Sequence, residues 1–394
     1  MPAPKPLTLH TPSIPRATTA RGTHGTHDHP VVSTLPTTQA TSTTPPVTID
    51  PAITAGKPGQ LRDQYGRVAH DLRVSLTDRC NLRCTYCMPA DGLPWIPTEE
   101  CLTDEEVIRL ITIGVERLHI SQVRFTGGEP LLRKSLAKII AATSALTTAS
   151  GAPVHTALTT NGLGLDKQAK RLAAAGLNRV NISLDSLDRT RYHQLSRRDR
   201  LDDVLAGIAA AHDAGLTPVK INTVIMPGIN EVDILPMARW AITNGYHLRF
   251  IEQMPLGPAG KWDRSGMVTA AEIMHTLRTG GELTPAQLER GSAPADLWRY
   301  TLDNGETGHI GIIASVTRPF CGACDRTRLT TDGAIRNCLF SHEETSLRDL
   351  LRQGADDTAI ATAWAQAMWG KLPGHGINDP GFLQPDRTMS AIGG

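Results

Sequence analysis

Six short runs rich in apolar and β-branched residues, at 72–76, 122–126, 154–159, 179–184, 218–225 and 247–251, alternate with amphipathic stretches at 104–118, 132–147, 166–175, 201–214 and 232–243. This rhythm narrows the fold more than any other feature. Strands separated by helix-length connections cannot close as hairpins, so they pair in parallel with the helices packed over the sheet. Thr103-Asp-Glu-Glu106 opens the first amphipathic stretch as a capping box, with Thr103 at the N-cap and Glu106 at the third helical position. A parallel sheet of six such units lies open or curls into a barrel. Either way, the loops at the C-terminal strand ends are where chemistry gathers.

Polar residues collect at those ends. The first strand is followed by Cys80-Asn-Leu-Arg-Cys84-Thr-Tyr-Cys87, a C-x3-C-x2-C arrangement. Three thiols in so short a loop suit a soft metal centre, and cysteine sulfur is the usual ligand of iron–sulfur units. A 4Fe-4S cluster takes four ligands, so three would leave one iron open to a ligand that is not protein. A zinc site or an unrelated cysteine loop remains open on spacing alone. The second strand runs into Thr126-Gly127-Gly128-Glu129-Pro130, the third ends in Thr159-Thr160-Asn161-Gly162 and the fourth in Ser183-Leu184-Asp185. The fifth carries Lys220, and the sixth gives Arg249, Glu252 and Met254. Adjacent glycines let backbone approach a ligand closely, and Glu129 could accept hydrogen bonds from an ammonium. By itself this turn is as readily a capped bend; following the cysteine loop, it points to a site.

Residues 1–60 form the expected disordered tail, rich in Thr, Pro, Ala and Ser, with His24, His27 and His29 read as solvated rather than metal-binding. Residues 61–256 are the expected strand–helix domain and 257–394 a C-terminal region. The net charge of +1 gives no ground for a nucleic-acid or membrane partner, and no run of eighteen apolar residues is present. Six of the seven cysteines fall into two triplets, which argues against disulfides and for a reducing, cytoplasmic setting; Cys101 stands alone.

After Met254 the rhythm stops. Residues 257–300 read as irregular, with one helix at 269–279. Cys321-Gly-Ala-Cys324 and Cys338 form a second triplet, C-x2-C-x13-C. Zinc, with His342 as fourth ligand, and an iron–sulfur cluster fit that spacing equally. Arg326-Thr-Arg328 lies inside the loop, and alternation puts both guanidiniums on one face of an extended segment. Such forks pair with phosphate oxygens, although a solvated basic turn has the same sequence.

The cysteine loop, the Gly-Gly-Glu-Pro turn and the strand–helix rhythm resemble the radical S-adenosylmethionine (SAM) superfamily. That resemblance implies a partial (β/α)6 barrel with a C-terminal region carrying a second iron–sulfur cluster. It also implies SAM bound to the open iron and cleaved to a 5′-deoxyadenosyl radical. Both triplets, the stretch Leu72-Arg73-Val-Ser-Leu-Thr-Asp-Arg79 before the first, Arg-Thr-Arg within the second and a terminal Gly393-Gly394 resemble the GTP 3′,8-cyclases over about residues 68–394. The implied activity is a lyase reaction, cyclising GTP in the first step of molybdenum cofactor biosynthesis.

By the same resemblance, Cys80, Cys84 and Cys87 would hold one 4Fe-4S cluster and Cys321, Cys324 and Cys338 the other. SAM contacts would fall on Tyr86, Gly128, Glu129, Ser183 and Met254. GTP contacts would fall on Arg73, Arg124, Thr159, Lys220, Arg249, Arg326, Thr327 and Arg328, with Arg73, Gly393 and Gly394 in catalytic roles. An external electron donor, a downstream cyclic pyranopterin monophosphate synthase and a monomer or homodimer complete the implied setting. Gln122 departs from the pattern, since relatives commonly have lysine there, and no P-loop is present. The alternatives are another radical SAM enzyme with an auxiliary cluster, or a non-catalytic iron–sulfur or zinc redox protein.

Overall fold

Each apolar run becomes a strand whose side chains sort by alternation. Leu72 and Val74, Val123 and Phe125, Val180 and Ile182, and Leu248 and Phe250 are buried on the helix-covered face. Their polar neighbours in sequence turn the other way. The computed structural model describes residues 59–393, apart from 259, 261 and 289. The tail up to residue 58, its three histidines included, and Gly394 lie outside the described residues.

A two-stranded ribbon of β1 (Leu61–Arg62) and β2 (Val68–Ala69) leads into β3 (Asp71–Ser75). Then follow α1 (Asp104–Leu118), β4 (Gln122–Thr126), α2 (Leu136–Ser144), β5 (His155–Thr160), α3 (Ala169–Ala174) and β6 (Arg179–Ser183). Next come α4 (Arg189–Ser196), α5 (Leu201–Asp213), β7 (Lys220–Ile225), α6 (Ile234–Thr243) and β8 (His247–Glu252). The capping box on α1 forms as expected: Thr103 Oγ1 accepts from Glu106 N, and Glu106 accepts from Thr103 N at 2.8 Å. The sequence gives little hint of α4, because its Arg-rich segment lacks a clear apolar stripe; Asp188, accepting from Arg191 N at 2.9 Å, starts it instead.

The C-terminal third is richer in strands than its pattern suggests. After α7 (Ala270–Thr279) come β9 (Gly281–Pro285), β10 (Asp296–Leu302), β11 (Thr307–Ile313), β12 (Arg326–Leu329), β13 (Ala334–Arg336) and β14 (Thr345–Ser346). The last elements are α8 (Leu347–Arg352), α9 (Asp357–Trp369) and α10 (Met389–Ile392). β12 pairs in parallel with β3, and β11 pairs in parallel with β8. The six-stranded run is thereby extended at both edges, and the antiparallel β13–β14 and β10–β9 finish the order β14-β13-β12-β3-β4-β5-β6-β7-β8-β11-β10-β9. The arrangement is a partial barrel. Hairpin pairing of β10 with β11 turns at Asp303-Asn304-Gly305, with Gly305 at φ +85°, a short signal easily lost among the Gly and Pro residues upstream.

The second triplet is thus pinned to the first strand. His70 N and Asp71 N both donate to Asp325 O, at 2.9 and 3.1 Å, next to Cys324. α9 closes the outside of this join, where buried Trp364 donates from Nε1 to Thr327 Oγ1 at 3.0 Å and packs against α1 over Gly114.

Candidate functional site

Alternation along the parallel strands turns one set of residues inward to a cavity of about 650 Å³. All six triplet cysteines line it. So do Asp71 and Arg73 of β3, Gln122 and Arg124 of β4, Thr159 of β5, Arg179 and Ser183 of β6, Lys220 of β7, Arg249 of β8, and Arg326 and Arg328 of β12. Tyr86, Gly128 and Met254 complete the expected set at its wall.

The first cysteine loop is held by backbone. Gly128 N donates to Thr77 O at 2.6 Å and Glu129 N to Arg79 O at 2.7 Å. A Cβ on Gly128 would stand 2.3 Å from Arg79 O, and one on Gly127, at φ +139°, 2.3 Å from Thr77 O. The paired glycines therefore admit the chain's own backbone, the stretch entering the cysteine loop, besides any ligand. Glu129 is buried away from the cavity. Its carboxylate accepts from Leu131 N, Thr160 Oγ1 and Asn161 N at 3.0, 2.7 and 2.8 Å, and burial pushes its pKa up to about 7. It braces the ends of β4 and β5 rather than lining the cavity as expected of a SAM contact. Asn161, which it positions, points its amide at Cys80 Sγ, 3.8 Å away.

The thiols have no disulfide partners. Burial, and then the neighbouring Cys80, push Cys87 up to about 12, and burial, then Asp185 and the other two thiols, also raise Cys84 well above the ordinary range. A cation at this loop would be favoured, because deprotonated sulfur is otherwise costly there. Tyr86 donates to Asp185 Oδ2 at 2.7 Å, which fixes its ring beside the loop. At the second triplet burial raises Cys324, but Lys371 and Arg326 outweigh it and hold its thiol below the ordinary range. Lys371 Nζ lies 3.4 Å from Cys324 Sγ. His342, the candidate zinc ligand, contacts Leu383 O instead, at 3.2 Å. Among the described residues, no three or more His, Cys, Asp or Glu side chains are arranged to hold a single ion. Each triplet instead opens as a set toward shared space, which suits a multi-iron unit, broader than one ion.

Between the triplets the cavity is cationic. Arg73, Arg124, Arg179, Lys220, Arg249, Arg326 and Arg328 all face it, and Asp71 is the carboxylate set among them. Arg124 Nη2 lies 3.3 Å from Asp71 Oδ2, and Arg326 Nε lies 4.0 Å from the same oxygen. Burial raises the Asp71 carboxyl, but Arg124, Arg73 and Arg326 outweigh it and keep it ionised. Lys220 is pushed down to about 7 by burial and the charges of Arg249, Arg179 and Arg124. Arg249 falls to about 9 by burial and then Arg124, Arg179 and Arg326. Burial, then Arg328 and Arg124, lower Arg73 strongly, and its Nε is buried without a hydrogen-bond partner. So many cations clustered around Asp71 favour the entry of a polyanion.

Thr327 turns away from the cavity to Trp364, so of the expected Arg-Thr-Arg contacts the two arginines face inward and the threonine packs outward. The C-terminal tail reaches the same wall, at the ends of β3 and β4. Gly393 O accepts from Arg328 Nη1, Gly393 has φ +74°, and a Cβ there would stand 2.3 Å from Ser75 Oγ and 2.7 Å from Thr126 Cγ2. Sequence reasoning passed over Arg179, Asp71 and Lys371, and named Asn161 only as a polar residue at a strand end. Arg179 could have been found by counting two and four residues back from Asn181 and Ser183. Lys371 belongs to no motif near the cysteine it touches.

Residues 74–241 match the family model described as the radical SAM superfamily, and residues 246–377 match that described as Molybdenum Cofactor Synthesis C. The chain is 65% identical over 336 residues to a GTP 3′,8-cyclase of Corynebacterium glutamicum, covering 85% of this chain and 89% of that protein. It is 57% identical over 335 residues to a GTP 3′,8-cyclase of Streptomyces coelicolor, covering 85% and 96%. In fold it is similar to Streptococcus suis SuiB, solved bound to S-adenosylmethionine, with a TM-score of 0.51, 14% identity, and 82% and 75% of the two chains covered.

Proposed function

The chain belongs to the GTP 3′,8-cyclase family of the radical SAM superfamily, and on that premise we propose how its cavity carries out the reaction. The reaction is the cyclisation of GTP to 3′,8-cyclo-7,8-dihydro-GTP, the first step of molybdenum cofactor biosynthesis. One observation carries the reading: two cysteine triplets open onto the same cavity, whose lining includes eight arginine and lysine side chains.

The 4Fe-4S cluster of the first triplet, with SAM on its open iron, would supply the radical that removes a ribose hydrogen, and the cluster of the second would take the purine. The protein's part is to hold, orient and exclude water. Cys80, Cys84 and Cys87 would hold the SAM-binding cluster, and Tyr86, Gly128, Ser183 and Met254 would contact SAM. Glu129 acts behind them as a brace. Cys321, Cys324 and Cys338 hold the second cluster, toward which the purine is directed. Arg73, Arg124, Lys220, Arg249, Arg326 and Arg328 bind the triphosphate, and Thr159 lies on the wall between the two halves. Anchored at its phosphates, the nucleotide presents its ribose to the first triplet and its base to the second. Gly393 and Gly394 act through Arg328, whose guanidinium the tail carbonyl orients.

The partners this reaction calls for are an external electron donor and, for its product, a cyclic pyranopterin monophosphate synthase. Free thiols and a reductive reaction fit the cytoplasm, and no helix among the described residues is long and apolar enough to cross a membrane. The test is an anaerobic assay on chain reconstituted with iron and sulfide. SAM cleavage should depend on GTP, and about eight irons should be bound per chain, from two clusters of four. Cleavage indifferent to GTP, or a chain with four irons and one zinc, overturns the reading.

A further inference from the structure

Arg179 has no part in the assignments above, yet it begins β6 on the cavity side, two residues before Asn181 and four before Ser183. In the parallel register it is level with Ala157 of β5, which in turn is level with Arg124 of β4 and Arg73 of β3. Ala157 carries only a methyl group, so the Arg179 side chain crosses over β5. Its Nη2 donates to Gln122 Oε1 at 3.2 Å, and its Nη1 to Asn181 Oδ1 at 3.4 Å.

Both partners are neutral amides at the long end of hydrogen-bonding distance. Among the described residues no carboxylate forms an ion pair with Arg179, in contrast to Arg124, which has Asp71. A guanidinium has five N–H donors and keeps its charge, so two weak contacts leave most of its bonding capacity unused. Arg124 beside it is a like charge, and burial and that charge outweigh the attraction of Asp71 and lower its pKa to about 10. A half-buried cation that meets mainly other cations is destabilising until an anion arrives.

We propose that Arg179 is a ligand of the substrate polyphosphate, with Gln122 and Asn181 holding its fork toward the cavity. The proposal rests on the reading of this cavity as a GTP site. It gives Gln122 a definite role: the amide supplies no charge itself but steadies, across β5, an arginine that does. A structural brace joining β4 to β6 is the alternative, and the two differ in what they do to nucleotides of different phosphate number.

The test is anaerobic calorimetry on the cluster-loaded chain, with GTP, GMP and inorganic tripolyphosphate as titrants. R179Q should weaken GTP and tripolyphosphate roughly ten- to a hundredfold, the scale of one lost charge-assisted contact. GMP and SAM affinity should change by less than about twofold, and iron content should hold. Q122K/R179Q, which restores a cation at the same spot, should recover most of the GTP affinity. Wild-type GTP affinity in R179Q, an equal loss for GTP and GMP, or a fall in iron content overturns the proposal. Should the wild-type chain bind tripolyphosphate but no guanosine nucleotide, the GTP reading fails, while the dependence of tripolyphosphate on Arg179 still decides this one.

Discussion

A half-buried lysine among Arg249, Arg179 and Arg124 holds its proton less firmly than one on a surface, and Lys220 is lowered from 10.5 to about 7. A bound triphosphate would reverse this by favouring the ammonium. The sign follows from linkage: above about pH 7 the empty site has a neutral lysine that must take up a proton as GTP binds. Affinity should therefore fall as pH rises from about 7.5 to 8.5. Calorimetry in buffers of different ionisation heat should find proton uptake approaching one per GTP near pH 8. K220M should bind more weakly and lose that uptake; a variant that keeps it would assign the proton elsewhere. At the same scale, C84S should remove reductive SAM cleavage and about half of the iron, leaving the second cluster in place. Retained 5′-deoxyadenosine formation would exclude Cys84 as a ligand.

Buried carboxylates join the elements where loops cannot. Glu252, at the end of β8 and 1% exposed, accepts from Ala270 N at 2.7 Å, Val316 N at 2.8 Å, Thr317 N at 2.9 Å and Thr317 Oγ1 at 2.5 Å. It thus ties the start of α7 to the segment after β11, the approach to the second triplet. E252A would leave those donors buried without partners, and should lower unfolding stability by about 3–5 kcal/mol, read from the denaturant midpoint. Loss of the α1 cap in T103A, at a more exposed site, should cost only about 1 kcal/mol. Equal effects of the two would mean that Glu252 is not the joint it is taken for.

At the scale of the molecule, the last residues close a circuit through the whole chain, since Gly393 meets Ser75 and Thr126 at the ends of β3 and β4 as well as Arg328 of β12. A side chain at 393 has no room, and its positive φ disfavours one as well. G393A, like removal of Gly393 and Gly394, should leave the fold and the iron content nearly unchanged while product formation fails. Product analysis beside SAM cleavage checks this; full cyclisation in the truncated chain would deprive the tail of its role. Ordering such a segment costs on the order of 1–2 kcal/mol per residue, so a tail that docks without functional effect would be an unexplained expense.

Six strands and five of their helices were legible in the chain because period two and period 3.6 are local properties, carried by residues such as Val123 and Phe125 or Thr103 and Glu106. The two triplets and most of the arginines were legible for the same reason: their spacing is short. What sequence alone could not decide is the outcome of long-range pairing. That β12 lies beside β3 brings Arg326 and Arg328 level with Asp71 and Arg73, across some 255 residues of chain, and no local pattern encodes that register. Glu129 had the chemistry of a ligand contact, and only packing against Thr160 and Asn161 turned it into a brace. Lys371 reached Cys324, and Arg179 reached Gln122, through the tertiary fold. Residue types fixed which chemistry was possible; burial and strand register decided which of them face it, because a side chain's partners depend on what the rest of the chain packs beside it.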